Sequence, residues 1–380
     1  MSMSASSNQR GKQLALGLGS TLFMLGLAEA AVRLLNIAPP RFHETRHLES
    51  ADKRVGIDVY PREGATAGLE YPYHATEALT LRMPELASWA QAAPLGFVGY
   101  YSEEHCRVAQ DGDAIPRPSS SRQRVLFVGD SFIEGQGVPY EATASSRVLE
   151  GLHREDVDVI NCGRRGYDFH RDQQTEPELG DFIEAHLSDT PELVVYAMTL
   201  NDAERSEAFQ AQQSYVDDWI VDRRRMTSGA PSVPSFWSLR LFSLAQDRME
   251  GMRIGAATLR WYEEMYTAPN QVGWARTLDR LESLQTRIAA HGGRLLIALW
   301  PLMTSLSSYP LEGTHETIAS SMRARHLTFV DTLPAFRNED AEALWVHAVD
   351  HHPNARGHAL FATAVLPAVQ EALAAMEPTR

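Results

Sequence analysis

The sequence predicts an α/β fold built on a parallel sheet. From Gln123 onward, short runs rich in β-branched and aromatic residues alternate with segments of helical periodicity. Residues able to do chemistry follow the ends of several of those runs, where open α/β sheets hold their ligands. The last helical pattern, from Ala359 to Ala374, closes the chain just after such a cluster.

The predicted strands are Val125 to Val128, Val157 to Ile160, Leu193 to Met198, Leu295 to Leu299 and Thr328 to Val330. Each is too short and too apolar for an amphipathic helix. An amphipathic helix is predicted from about Trp274 to Ala290, because Trp274, Leu278, Leu281, Leu284 and Ile288 recur at spacings of three and four. Gly292-Gly293 supplies its stop signal. Between residues 204 and 270 the alternation lapses into an insertion holding Trp219, Trp237, Leu239, Leu241, Phe242, Trp261, Tyr262 and Tyr266. It reads as a helical subdomain with its own small core, or else as a lid or acyl-binding wall over the strand ends. Arg223-Arg-Arg225 within it reads as a solvated face.

Upstream, residues 38–120 read as a strand-and-loop apron. Pro39-Pro40 stops the preceding helix, Val55 to Tyr60 and Leu95 to Tyr101 are short apolar pieces, and Pro116-Arg-Pro-Ser-Ser-Ser121 is a linker. In residues 1–37, Arg10 and Lys12 precede an uncharged apolar run from Leu14 to Ala28. That run alone is short of the ~20 residues a spanning helix needs, but extended to Leu35, with Glu29 and Arg33 near one interface, it suffices. Positive charge before it places the body outside the cytoplasm. A membrane anchor is the leading expectation. A signal peptide cleaved near Ala28-Glu29-Ala30 and a buried soluble helix are the alternatives. The domain boundaries are therefore 1–37, 38–120 and 121–380.

The chain has 380 residues, 44% hydrophobic and 22% charged, enough for a real core. Its net charge of −14 disfavours nucleic acid or anionic lipid as the main partner. The two cysteines, Cys106 and Cys162, are too few for a disulfide framework and match no zinc or redox spacing. They read as unpaired structural thiols, with a bridge between them left open.

Four blocks carry the chemistry. Gly129-Asp-Ser131 ends the first strand, Asn161-Cys-Gly-Arg-Arg-Gly166 follows the second, Thr199-Leu-Asn-Asp202 follows the third, and Asp350-His-His-Pro-Asn354 precedes the last helix. A serine hydroxyl needs a base to become a nucleophile, and histidine titrates in the useful range. Asp350 and His352 lie two apart, so an extended stretch puts them on one face. Pro353 biases His352 toward that conformation. Asp130 and Asp202 read as ties for the strand-end turns, and His347, His351 and His358 as structural or solvent-facing.

In this order the blocks resemble those of the SGNH (GDSL-type) hydrolase superfamily over roughly residues 121–375. That family has a Gly-Asp-Ser block, a Gly, a Gly-x-Asn-Asp block and a C-terminal Asp-x-x-His. This chain departs from it with Thr199 in place of Gly and with Asp350-x-His352. The resemblance implies a three-layer α/β/α, flavodoxin-like domain. It also implies Ser131 as nucleophile, His352 as base and Asp350 as its orienter, with the N–H groups of Ser131 and Gly166 and the Asn201 amide as oxyanion donors. The expected activity is hydrolysis of a small-molecule or glycan carboxylic ester through an acyl-enzyme. An O-acyltransferase of a cell-surface glycan, using the same residues, and a non-catalytic binding protein are the alternatives. No cofactor is expected: there is no phosphate-binding loop or dinucleotide fingerprint, and the His347, Asp350, His351, His352 and His358 cluster fits no metal-ligand spacing.

Overall fold

The computed structural model describes residues 3–35, 37, 42–43, 46–60, 95–119, 121–167, 181, 183, 185, 192–212, 226–227, 239–348 and 350–376. The chain divides into two units, Met1–His43 with Asp222–Ala256, and Glu44–Val221 with Ala257–Arg380.

The larger unit is built on a nine-stranded sheet. Its order is Phe329–Asp331, Arg294–Leu299, Glu192–Met198, Gln123–Gly129, Val157–Asn161, Arg107–Val108, Leu95–Tyr101, Val55–Tyr60 and Arg46–Glu49. The first five strands are parallel, and the other four continue the sheet antiparallel. All five predicted strands are present, with ends moved by one or two residues. Numbered along the chain, the parallel strands run 2-1-3-4-5, the flavodoxin-like order, whose switch point lies between the Gln123–Gly129 and Glu192–Met198 strands. Every residue of Glu192–Met198 is buried, as expected for a central strand covered on both faces.

The helix Ala144–Leu152 connects parallel strands in one direction along the sheet, while Gln271–Ala290 and Glu312–Ala324 connect them in the other. Right-handed crossovers in opposite directions place helices on opposite faces, which makes the three layers. Trp274, Leu278, Leu281, Leu284 and Ile288 form the buried stripe of Gln271–Ala290, as their spacing predicts.

Two expectations change here. The apron is part of the main sheet, because Val55–Tyr60 and Leu95–Tyr101 pair with each other and Leu95–Tyr101 leads through Arg107–Val108 to the parallel strands. The cysteines are bonded to each other, not free. Arg107 is the antiparallel partner of Asn161, so Cys106 stands opposite Cys162 with Cα atoms 4.1 Å apart.

Of the predicted insertion core, Trp261, Tyr262 and Tyr266 belong to the principal core instead of a separate one. Leu239 and Phe242 are exposed. Trp219, Trp237 and Arg223 to Arg225 lie outside the described residues.

The smaller unit contains the helix Met3–Leu34 and the first part of the helix Arg240–Glu264. Within the former, Gln13–Leu34 is long and apolar enough to cross a membrane, with a mean hydropathy of 1.6. Glu29, which interrupts the apolar run, has partners: its carboxylate accepts from Arg33 Nε at 2.6 Å and from the backbone N–H groups of Arg240 and Leu241 at 2.9 and 2.8 Å. It caps the start of the second helix, where free N–H groups need an acceptor.

Candidate active site

Ser131 opens a four-residue helix, Ser131–Glu134, directly after the Gln123–Gly129 strand. Gly129 takes φ 144°, and a Cβ there would stand 2.4 Å from the Ala197 carbonyl oxygen. Only glycine lets the first strand turn this close to its neighbour. Asp130 then caps the helix, its carboxylate accepting from Phe132 N–H at 2.8 Å. Buried Arg107 donates to the carbonyls of Glu134, Gly135 and Val138 at the far end of the turn.

His352 arrives on a small antiparallel hairpin of Trp345–His347 and Asp350–Pro353. Its Nε2 lies 2.8 Å from Ser131 Oγ. Its Nδ1 is hydrogen-bonded to Asp350 Oδ1, which also accepts from the His352 backbone N–H at 3.2 Å. Asp350 Oδ2 accepts from Tyr60 Oη at 2.9 Å and from Gln136 Nε2 at 3.0 Å. Burial alone would raise the Asp350 carboxyl. The charge of His352 and the hydrogen bonds from His352 and Tyr60 outweigh it and hold the carboxyl below the usual range. Asp350 is thus an anion that accepts from the imidazole. This fixes a proton on Nδ1 and leaves Nε2 free to accept from the serine. Phe132 packs on the His352 ring, with centroids 5.4 Å apart.

The second block is tied to the first by Asn161, whose Nδ2 donates to Ile133 O at 2.8 Å and whose Oδ1 accepts from Gly163 N at 3.0 Å. Gly163 is the point of closest approach: a Cβ there would lie 2.4 Å from Glu134 N. Arg164 N–H donates to Gly129 O at 2.9 Å, and a turn from Arg164 to Tyr167 follows. Gly166 occupies its third position at φ 63°, exposed, with open space at its α-carbon.

Thr199, which departs from the family pattern, links the first and third blocks. Its Oγ1 lies 2.8 Å from Asp130 Oδ2 and 2.7 Å from both Asn201 Oδ1 and Asp202 Oδ1. One hydroxyl proton cannot serve three acceptors. Burial first and the charge of Asp130 next push the Asp202 carboxyl well above the usual range. Asp202 also accepts from Tyr196 Oη at 2.5 Å and Thr199 N at 3.0 Å, tying its turn as expected.

The structure therefore joins Ser131, His352 and Asp350 by direct hydrogen bonds. It connects Asn201 to the serine's neighbour Asp130 through Thr199, and places Gly166 on the adjoining turn. His347 is buried, stacked on Tyr60 at 5.8 Å. His351 stacks on Trp345 at 3.8 Å. Buried His358 accepts from Ala144 N–H at 3.1 Å, and burial, helped by the charges of Arg107 and His352, pushes it down to about 3.

Four residues of the site escaped the sequence reading. Tyr60 and Gln136 hold Asp350. Asp58 binds Arg165 through both oxygens, at 2.7 and 2.8 Å, and accepts from Gly137 N at 3.1 Å. Arg165, next to Gly166, also reaches Glu134 at 3.1 Å. Burial alone would raise Asp58, but Arg165 and His47 hold it far below the usual carboxylate range. The available signal was the pair Asp58 and Tyr60 on one face of an otherwise apolar strand.

The chain is similar to several known proteins. The GDSL-like Lipase/Acylhydrolase family matches residues 127–360. A crystal structure of a member of the lipolytic G-D-S-L family from Veillonella parvula is 14% identical, covering 64% of this chain and 97% of that one, at a TM-score of 0.37. An extracellular lipase from Streptomyces rimosus is 13% identical, covering 66% and 99%, at 0.39. A carbohydrate acetylesterase family member from Sinorhizobium meliloti is 14% identical, covering 66% and 99%, at 0.32. No curated protein matches. The family match spans more than half of the chain, and the chain belongs to the GDSL-like lipase/acylhydrolase family of the SGNH superfamily, a family of ester hydrolases.

Proposed function

We propose that the protein is a serine hydrolase that cleaves a carboxylic ester through an acyl-enzyme, held at a membrane with its catalytic unit outside the cytoplasm. The observation that carries the chemistry is the 2.8 Å contact between Ser131 Oγ and His352 Nε2, with the Asp350 carboxylate behind the ring. His352 takes the serine proton as Oγ attacks the ester carbonyl, and returns it to the leaving alkoxide. Water, deprotonated by the same nitrogen, then attacks the acyl-serine. The acid leaves and Ser131 regains its proton. The N–H groups of Ser131 and Gly166 and the side-chain amide of Asn201 stabilise the oxyanion of both tetrahedral intermediates.

Incubation with ester substrates of graded acyl length, together with a fluorophosphonate probe, tests this reading. Ester turnover with probe attached at Ser131 supports it, and absence of both overturns it. Transfer of the acyl group to an added glycan in preference to water would make the protein an O-acyltransferase with the same residues. The assembled Ser–His–Asp contacts count against a non-catalytic binding role.

Asn201→Ala should lower kcat about a hundredfold with little change in KM, because the amide is needed mainly when the oxyanion forms. Steady-state kinetics decide it: a raised KM alone makes Asn201 a substrate contact.

Two observations support the location. The Cys106–Cys162 bridge suits an oxidising compartment. Glu29 caps the helix beginning at Arg240, a role that a cleaved segment could not fill. The full-length protein should therefore sediment with membranes, and its catalytic unit should be digested by protease added to the outer side. A shortened soluble product would show cleavage instead.

A further inference from the structure

We propose that Tyr60 is a positioning residue of this active site: its hydroxyl fixes the Asp350 carboxylate and so sets how readily His352 accepts the serine proton. The inference rests on the hydrolase reading above and adds to it a residue from outside the region shared with the family, residues 127–360.

The strand Val55–Tyr60 is the eighth of nine in the sheet, yet its last residue reaches the centre of the chemistry. Tyr60 Oη lies 2.9 Å from Asp350 Oδ2, while Oδ1 of the same carboxylate faces His352. The phenol ring is buried and held on three sides by Phe97, Val346 and His347. Room for the hydroxyl is made by Gly137, where a Cβ would stand 2.8 Å from Tyr60 Oη. A glycine at that point keeps the loop after Ser131 against the hydroxyl without displacing it. Asp58, on the same strand face, holds Gly137 N–H at 3.1 Å and so fixes that loop from the same strand.

The direction of the effect follows from hydrogen-bond accounting. Asp350 Oδ2 has two donors, Tyr60 and Gln136. Each donor spreads the charge of the carboxylate and weakens its hold on an imidazolium. Burial, and then the charges of Asp350 and Asp58, push the Tyr60 hydroxyl well above its usual range, so it stays a neutral donor. Other charged and titratable groups surround this array. Asp58 and Arg165 are paired ions. His47 beside Asp58 is raised to about 9, its burial outweighed by its bonds to Asp58 and Glu49. His358 is neutral, and His347 stacks on the phenol ring and stands opposite Asp350 in the hairpin. Removing the Tyr60 hydroxyl therefore makes Asp350 a stronger partner for protonated His352.

The test compares full-length wild-type and Tyr60→Phe protein in detergent. The variant should lower kcat roughly tenfold with KM little changed, because the carboxylate loses the hydrogen bond that aligns it with the imidazole and because a more basic His352 returns its proton to the leaving alkoxide less readily. It should also move the acid limb of the kcat/KM profile up by about half a unit to one unit. A 3-fluorotyrosine placed at position 60 keeps the shape and strengthens the donor, and should move the limb down. It serves equally if Tyr60→Phe fails to fold. Titration of the His352 ring by NMR, assigned with His352→Gln, reads the same shift without turnover. If the wild type neither hydrolyses esters nor labels at Ser131, the hydrolase reading fails, and the NMR shift still decides the role of Tyr60. A wild-type limb and ring titration in both variants would overturn the proposal. So would a rise in KM alone, which would make Tyr60 part of the substrate wall.

Discussion

Ser131→Ala should reduce ester turnover by about three or more orders of magnitude while leaving the fold intact. The loss is chemical, because alanine removes the only atom of the residue that faces His352 Nε2. The structural cost is small. The strand-to-helix turn depends on Gly129 and on the Asp130 cap to Phe132 N–H, neither of which involves the serine hydroxyl. Alanine is also a better helix former than serine. What remains is a buried His352 nitrogen without its partner, a loss of about 1 kcal/mol. Kinetics and thermal melting on the same preparation separate the two effects. Near wild-type turnover would remove Ser131 from the mechanism, and a collapsed melting temperature would mean the hydroxyl holds the fold.

The assignment of Ser131 was open to sequence reasoning because its surroundings are local. The strand Gln123–Gly129, the turn glycine and the capping aspartate are contiguous, and so are the Asn161 and Asn201 blocks with their strands. Asp350 and His352 were readable for the same reason, since two residues apart on an extended strand share a face. What stayed hidden depends on how distant strands are ordered. The 2-1-3-4-5 order brings the first and third strand ends together, and only then does Thr199 meet Asp130. The Cys106–Cys162 bridge requires Arg107 to stand opposite Asn161, a register that no spacing along the chain encodes. Tyr60 and Asp58 stand out as a polar pair on their strand, but nothing local ties residues 55–60 to residue 350. The place of Trp261, Tyr262 and Tyr266 in the principal core is hidden for a related reason. An aromatic cluster announces burial, but not which core it joins.

Asp350→Asn should lower kcat by about four orders of magnitude, more than loss of a charge alone would suggest, through the tautomer of His352. An asparagine at this position has one carbonyl oxygen and one amide nitrogen where the aspartate has two acceptors. The two groups that face Oδ2, Tyr60 Oη and Gln136 Nε2, are both oriented as donors. Together they outweigh the longer contact of Oδ1 with the His352 backbone N–H, at 3.2 Å, and select the carbonyl for that side. The amide NH2 is then left facing His352 Nδ1, and two donors cannot share one bond. The imidazole resolves the conflict by moving its proton to Nε2, the nitrogen that must accept from Ser131 Oγ at 2.8 Å. Side-chain volume is almost unchanged, so the hairpin Asp350–Pro353 and the fold should survive. The defect should appear in kcat, with substrate binding largely retained, and fluorophosphonate labelling of Ser131 should slow in parallel. Nitrogen NMR of the imidazole gives the direct reading, with the proton on Nδ1 in the wild type and on Nε2 in the variant. A variant that keeps the Nδ1 proton, or that loses less than about tenfold in kcat, would show that Asp350 does not orient the base.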